Sequence, residues 1–200
     1  MSRDQLHASL QDLALIPSPQ DIEEGDLILF HALNPWWGSK QIIRAQKMYF
    51  APEDAMWHHA AVYIGNLEVC EAQVGIGVQK VSLASYLSNN ARQGHLLRVR
   101  RSPRHIGSER KVIAEKALSK LGKRYDTSTA LLQGLGMWTG TRIGARARNI
   151  RKAGTCALLY SYAYFRAFHS EVTDEKFIVP AALSSTDQLV DVAVRWCRVL

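Results

Sequence analysis

Three side chains in this sequence have the types and positions for acyl-transfer chemistry: a thiol, an imidazole and a carboxylate. Cys156 follows Gly154-Thr155 and opens the apolar, aromatic run Ala157 to Phe168. A cysteine in the first turn of a helix faces unpaired backbone N–H groups and the positive end of the helix dipole, and both favour the thiolate. The arginine-bearing, acid-free stretch before it acts in the same direction. Cys70, inside a strand-like segment, and Cys197, near the C-terminus, lack such surroundings and read as packing residues. Three cysteines without a CxxC spacing form neither a disulfide framework nor a structural zinc site, so a reducing compartment is expected and no metal or cofactor is implied.

A cysteine nucleophile needs a base and a group that orients the base. Seven histidines are available, of which His58 and His59 open the apolar strand Ala60-Ala61-Val62-Tyr63-Ile64, where alternation turns one of the pair inward. Two glutamates on the next strand, Glu68 and Glu71, compete for the orienting role. A three-residue turn Ile64-Gly65-Asn66 sets His59 opposite Glu71, whereas a two-residue turn Gly65-Asn66 puts Glu68 on the face of His59. The residues alone leave both registers open.

The elements that must carry these groups are legible in outline. Leu6, Leu10, Leu13 and Ala14 repeat at helical spacing, so residues 1–20 read as an N-terminal helical arm stopped by Pro17 and Pro19, and 21–200 as one catalytic domain. Leu27 to Phe30 reads as a buried strand, and Ser39 as the cap of a helix through Met48. His58 to Ile64, Leu67 to Gln73, Val78 to Leu83 and Leu96 to Arg101 read as the strands of an antiparallel meander. A helix follows from Ser108 to Leu121. The glycine-rich stretch from Thr127 to Gly154 reads as a long functional connection, first apolar and then basic. Helices are expected from about Thr155 to His169 and from about Ser184 to Trp196. The class is α+β in a single domain.

At this level the residues resemble a family. Gly25-Asp26-Leu27-Ile28, His59-Ala60-Ala61-Val62-Tyr63-Ile64-Gly65, Val69-Cys70-Glu71-Ala72 with Gly77-Val78, Leu121 to Asp126, Cys156, and Val179 to Leu183 occur in the order that resembles the papain-like cysteine hydrolases of the NlpC superfamily. The closer likeness is to the circularly permuted YiiX-like branch, in which the histidine strand precedes the cysteine helix. The resemblance implies a papain-like fold with a β-meander or half-barrel packed on helices. It implies Cys156 as nucleophile, His59 as base, Glu71 as orienting carboxylate, and Tyr125 as a hydroxyl donor to the oxyanion beside the Cys156 amide. One position departs from the pattern, since Ala157 stands where the family usually has serine.

Charge bounds the partners. The chain carries 25 Lys and Arg against 18 Asp and Glu, and from Asp126 to Glu171 there is no acid while Arg142, Arg146, Arg148, Arg151, Lys152 and Arg166 fall there. Arg146, Arg148 and Arg151 are therefore candidates for attracting an anionic substrate. No zinc spacing, ribonucleoprotein pattern or recognition helix accompanies the charge, so nucleic acid is not an expected partner. A composition 47% hydrophobic and 22% charged excludes a disordered chain. The opening carries Asp4 and Asp12 where a signal peptide is basic and then apolar, so the expected location is cytoplasmic, with delivery by a specialised secretion system the alternative. The leading expectation is an amidase or peptidase acting on bacterial cell-wall stem peptides, as an antibacterial effector with a secretion-apparatus or immunity partner. The alternatives are lipid-directed acyl chemistry at an anionic membrane, through the apolar Leu131 to Trp138 and the basic run after it, and a catalytically silent binding module.

Overall fold

Leu27, Ile28, Leu29 and Phe30 carry no exposed surface, so the run after Gly25-Asp26 is a strand covered on both faces. The computed structural model describes residues 15–87, 94–141 and 154–198. In chain order these hold β1 (Leu15–Pro17), β2 (Leu27–Ala32), α1 (Trp37–Gln46), the single turn α2 (Pro52–Ala55), β3 (His59–Tyr63), β4 (Glu68–Gln73), β5 (Gly77–Ser82), a 3-10 turn (Leu83–Leu87) and β6 (His95–Arg101). There follow α3 (Gly107–Leu118), α4 (Thr127–Thr139), α5 (Cys156–Phe168), α6 (Pro180–Ser185), β7 (Val190–Asp191) and β8 (Trp196–Arg198).

The main sheet is antiparallel in the order β5-β4-β3-β2-β6-β7. Strands β3 to β5 form the meander as expected, with β2 added beside β3, but β6 does not continue it past β5; it returns to pair with the other side of β2, Leu27 facing Arg100 and Phe30 facing Leu97. One face of the sheet, with Leu29, Ala60, Val62, Cys70 and Ala72, packs on α3 and α5. The other, with Ile28, Phe30, Ala61, Tyr63 and Val69, is covered by Leu83 and Leu87 of the 3-10 turn and by Ile16 and Trp196 from the β1–β8 pair. A third cluster joins α1, α4 and α6 through Ala45, Met137, Ala181 and Ala182. The result is a mixed α/β architecture of antiparallel sheet and helices, consistent with a permuted papain-like fold.

The structure corrects three expectations. Thr127 to Thr139 is a helix rather than the start of a long connection: the Asp126 side chain caps it by accepting from Thr129 N at 2.9 Å. Its glycines mislead because Gly136 is a packing residue on the buried side, and its apolar outer face hides the amphipathic signature. The last helix is not Ser184 to Trp196 but Pro180–Ser185, with Thr186 already extended. Beyond it the chain is drawn into sheet, Val190 pairing with Arg101 and Trp196 with Pro17, and those pairings are tertiary. The β1 strand replaces the end of the expected arm; residues 1–14, which hold the rest of that arm, lie outside the described residues.

Candidate active site

The β3–β4 hairpin decides which glutamate meets which histidine. The turn has three residues, Gly65-Asn66-Leu67, one position later than expected, each with φ between 52° and 91°, and Ile64 N donates to Glu68 O at 3.0 Å. Ala61 therefore faces Glu71 and Val62 faces Cys70. Facing pairs shift by one position on each strand relative to the expected three-residue turn, but the parity is the same, so Glu71 still shares a face with His59. Among the described residues, the Glu68 carboxylate reaches only toward Lys80 at 4.0 Å. His59 donates from Nε2 to Glu71 Oε2 at 2.6 Å, with Glu71 wholly buried.

The thiol comes from the far side of the sheet. Thr155, extended, caps α5 through its hydroxyl, which accepts from Leu158 N at 3.4 Å, and Cys156 is the first helical residue. Two contacts fix where that helix begins: Asp126 N donates to Gly154 O at 2.7 Å, and the Asp126 Cβ approaches so closely that a Cβ on Gly154 would lie 2.4 Å from it. The cap of α4 and the entry to α5 are thus one joint. With Nε2 of His59 taken by Glu71, Nδ1 is the ring nitrogen left to face Cys156, whose proximity raises the His59 pKa. Glu71 and His59 are hydrogen-bonded, and Cys156 lines the same cleft beside them.

The electrostatics follow from that arrangement. Burial alone would drive His59 toward the neutral ring, but hydrogen bonds to Cys156 and Glu71 and the negative charge of both hold it protonated, up to about 10. Burial pushes Glu71 up, yet the His59 contact and hydrogen bonds from Tyr86 and Gln79 outweigh it and keep the carboxylate below its ordinary 4.5. Cys70 is buried one residue away and pushed up to about 12, by burial first and the Glu71 charge second. His58 is driven down to about 3 by burial and by His59, His95 and His31, so it stays neutral. Among the described residues its Nδ1 has no hydrogen-bond partner.

Cys156, His59 and Glu71 open into a cleft of about 620 Å³ whose wall includes Trp36, Ile42, Val74 and Tyr125. Tyr125 is raised above its ordinary 10 by burial and by the Cys156 and Asp126 charges, so its phenol keeps its proton. His58 lines this cleft too. Ala157 is buried in the core, so its side chain is turned away from the cleft. Arg146, Arg148 and Arg151 lie outside the described residues. No described lysine or arginine lines the cleft.

Two residues that the sequence did not offer complete the surroundings of Glu71. Gln79 donates from Nε2 to Glu71 Oε1 at 3.0 Å and is its facing partner across β4–β5; the Gly75 and Gly77 turn was the available signal for that register. Tyr86 donates its hydroxyl to Glu71 Oε2 and stacks on Phe30 with ring centroids 4.1 Å apart. No local pattern announces it, because it comes from the 3-10 turn and meets Glu71 only through the fold. Among the described residues no group of three or more His, Cys, Asp or Glu is arranged to hold a metal ion.

A family model described as permuted papain-like amidase enzyme, YaeF/YiiX, C92 family, matches residues 21–131, more than half of the chain. That span holds His59, Glu71 and Tyr125 and ends before Cys156. The structure is similar to the crystal structure of metalloprotein yiiX from Escherichia coli O157:H7, DUF1105, with a TM-score of 0.58 and 16% identity over 88% of this chain and 99% of that one. At that identity the likeness is one of fold. No curated protein matches the chain.

Proposed function

The chain belongs to the permuted papain-like amidase family YaeF/YiiX, C92, a family of cysteine hydrolases, and from that membership we propose that it cleaves an amide bond through a thioester on Cys156. The observation that carries the reading is a buried carboxylate on His59 Nε2 at 2.6 Å, with Cys156 in the same cleft and close enough to raise the imidazole's pKa. Cys156 Sγ, its proton on His59, attacks the carbonyl carbon. The resulting oxyanion is held by the Cys156 backbone N–H, at a helix start where such groups lack intrahelical partners, and by the Tyr125 hydroxyl. His59 Nδ1–H protonates the leaving nitrogen as the C–N bond breaks, leaving the thioester. Nδ1 then takes a proton from water, whose oxygen attacks the thioester; the C–S bond breaks, the acid departs, and Sγ is left as the thiolate beside the protonated His59. Glu71 keeps the ring oriented and its positive charge compensated throughout.

Bacterial cell-wall stem peptides are the proposed substrate. The excess of 25 bases over 18 acids supports this, since an anionic polymer is drawn to a cationic surface. The cleft itself favours a second reading, acyl chemistry on a lipid-like amide or ester. Its wall of Trp36, Ile42, Val74 and Val81, without a lysine or arginine, suits an apolar group beside the scissile carbonyl. The test is mass spectrometry of muropeptides and of lipid extracts after incubation with wild type and with Cys156→Ala. New amine and acid products only with wild type support the reading, in whichever pool they arise. Equal products with Cys156→Ala overturn it.

A further inference from the structure

Among the described residues, many of the exposed apolar side chains stand on two neighbouring helices, one of which borders the cleft. Trp36, Trp37 and Ile42 stand exposed at α1, and Leu131, Leu135 and Trp138 on α4, with Trp37 72% and Leu131 69% exposed. The three on α4 recur at i, i+4 and i+7, one face of a helix whose opposite side, Gln133, Gly136 and Met137, is buried. The two helices pack together, and Tyr49, just past α1, donates its hydroxyl to Met137 O at 2.8 Å. Trp36 and Ile42 also line the cleft, so the apolar surface runs up to the rim of the site.

Exposed cations accompany the apolar residues of α1. From His31 to Pro52 the sequence holds Lys40, Arg44 and Lys47 and no acid, and all three cations are exposed. Tryptophan and leucine edged by lysine and arginine complement an anionic lipid surface: indole rings sit at headgroup level, aliphatic side chains enter the acyl boundary, and cations meet lipid phosphates.

We propose that the α1–α4 face docks on an anionic lipid bilayer with the cleft opening beside it. No described helix is long and apolar enough to cross a membrane; the proposed contact is of two helices lying on the surface. This deepens the second, lipid-directed reading of the proposed function by putting the scissile bond on a membrane-borne molecule, and it rests on that reading only for the chemistry, since docking needs nothing from Cys156.

Co-sedimentation with vesicles of equal parts phosphatidylcholine and phosphatidylglycerol tests it. Wild type should bind these far more tightly than pure phosphatidylcholine vesicles. Replacing Lys40, Arg44 and Lys47 together with glutamine should weaken anionic binding by on the order of a hundredfold at low salt, about fivefold for each cation. Trp37→Ser, Leu131→Ser and Trp138→Ser combined should weaken it at least tenfold at all salt concentrations, while turnover of a small soluble amide stays at the wild-type rate and certifies the fold. Cys156→Ala should bind vesicles like wild type. Failure of wild type to sediment with anionic vesicles, or full binding by the serine variant, overturns the proposal. So does a dimer in light scattering that the serine substitutions dissolve without any vesicle binding, which makes the face a contact between copies. Vesicle binding without turnover of any amide retains the docking surface and overturns the proposed function instead.

Discussion

His59 gives Nε2 to a buried carboxylate and is held protonated through neutrality by Glu71 and Cys156, so it carries the proton that the leaving nitrogen must take. Loss of either reacting partner breaks the unit, so Cys156→Ala and His59→Ala are each expected to lower kcat/KM by about 10⁴-fold or more, with the double variant no worse than either single one. Cys70→Ala and Cys197→Ser should stay active, since Cys70 is a buried thiol pushed up to about 12 and Cys197 has no part in the cleft lining. Glu71→Gln should cost about 10²–10⁴-fold in kcat by weakening the orientation of His59, whereas Glu68→Gln should cost little. The pH profile distinguishes these roles from mere packing. The imidazolium must donate to the leaving nitrogen, so the alkaline limb of kcat/KM should follow His59 up toward about 10, and Glu71→Gln should move that limb down toward 6.5. An unmoved limb would refute the pairing. The sign for stability is the same: His59 binds its proton more tightly folded than unfolded, so its contribution is whole below about 6.5 and is lost as pH rises through about 10.

The elements place these residues through one joint. Asp126 caps α4 with its side chain and holds Gly154 with its backbone, so the start of α5, and Cys156 with it, is registered against α4. A methyl group at position 154 would lie 2.4 Å from Asp126 Cβ, so Gly154→Ala must push the two helices apart. The expected result is a loss of about 1–3 kcal/mol in urea unfolding and at least a tenfold fall in kcat. Asp126→Ala removes the cap at about 1 kcal/mol without the clash, and should disturb kcat less. Equal kcat for Gly154→Ala and wild type would show that this joint does not set the thiol.

Across the whole molecule, the buried carboxylate of Asp26 is clamped by Arg101, which donates to its two oxygens at 2.8 and 2.7 Å and also to Glu23 Oε1 and Asp21 O. This ties the segment before β2 to β6 at the middle of the sheet. Arg101→Met leaves Asp26 buried and unpaired and should cost about 3–5 kcal/mol of unfolding free energy, read by denaturant titration. The long-range field makes a separate prediction. Replacing Arg146, Arg148 and Arg151 with glutamine should lower kcat/KM on an anionic substrate, less so as salt rises, and leave a small neutral amide nearly untouched. Equal losses on both substrates at every salt concentration would remove the substrate-attracting role from these arginines.

Much of the site was legible because its signals are local. Thr155-Cys156 announces a capped helix start, His59 opens an alternating strand, and the glycine and asparagine after Ile64 announce a tight turn, all set by backbone sterics within a few residues. The choice between Glu68 and Glu71 needed the hairpin register, which one residue of turn length reverses, and only the folded hairpin, with Gly65-Asn66-Leu67 in the left-handed region, resolved it. Tyr86 and Gln79 were beyond reach for the same reason, as was the return of β6 to β2. The helix over Thr127–Thr139 and the strands after Ser185 were misread because burial decides them: glycines that suggest a loop are packing positions when a neighbour covers them, and Val190 and Trp196 become strand only where β6 and β1 offer unpaired backbone. The sequence by itself determined the chemical groups and the helix and strand starts that present them. The tertiary structure decided which groups meet, because contact between residues twelve and nearly a hundred positions apart depends on pairing and packing that no local pattern encodes.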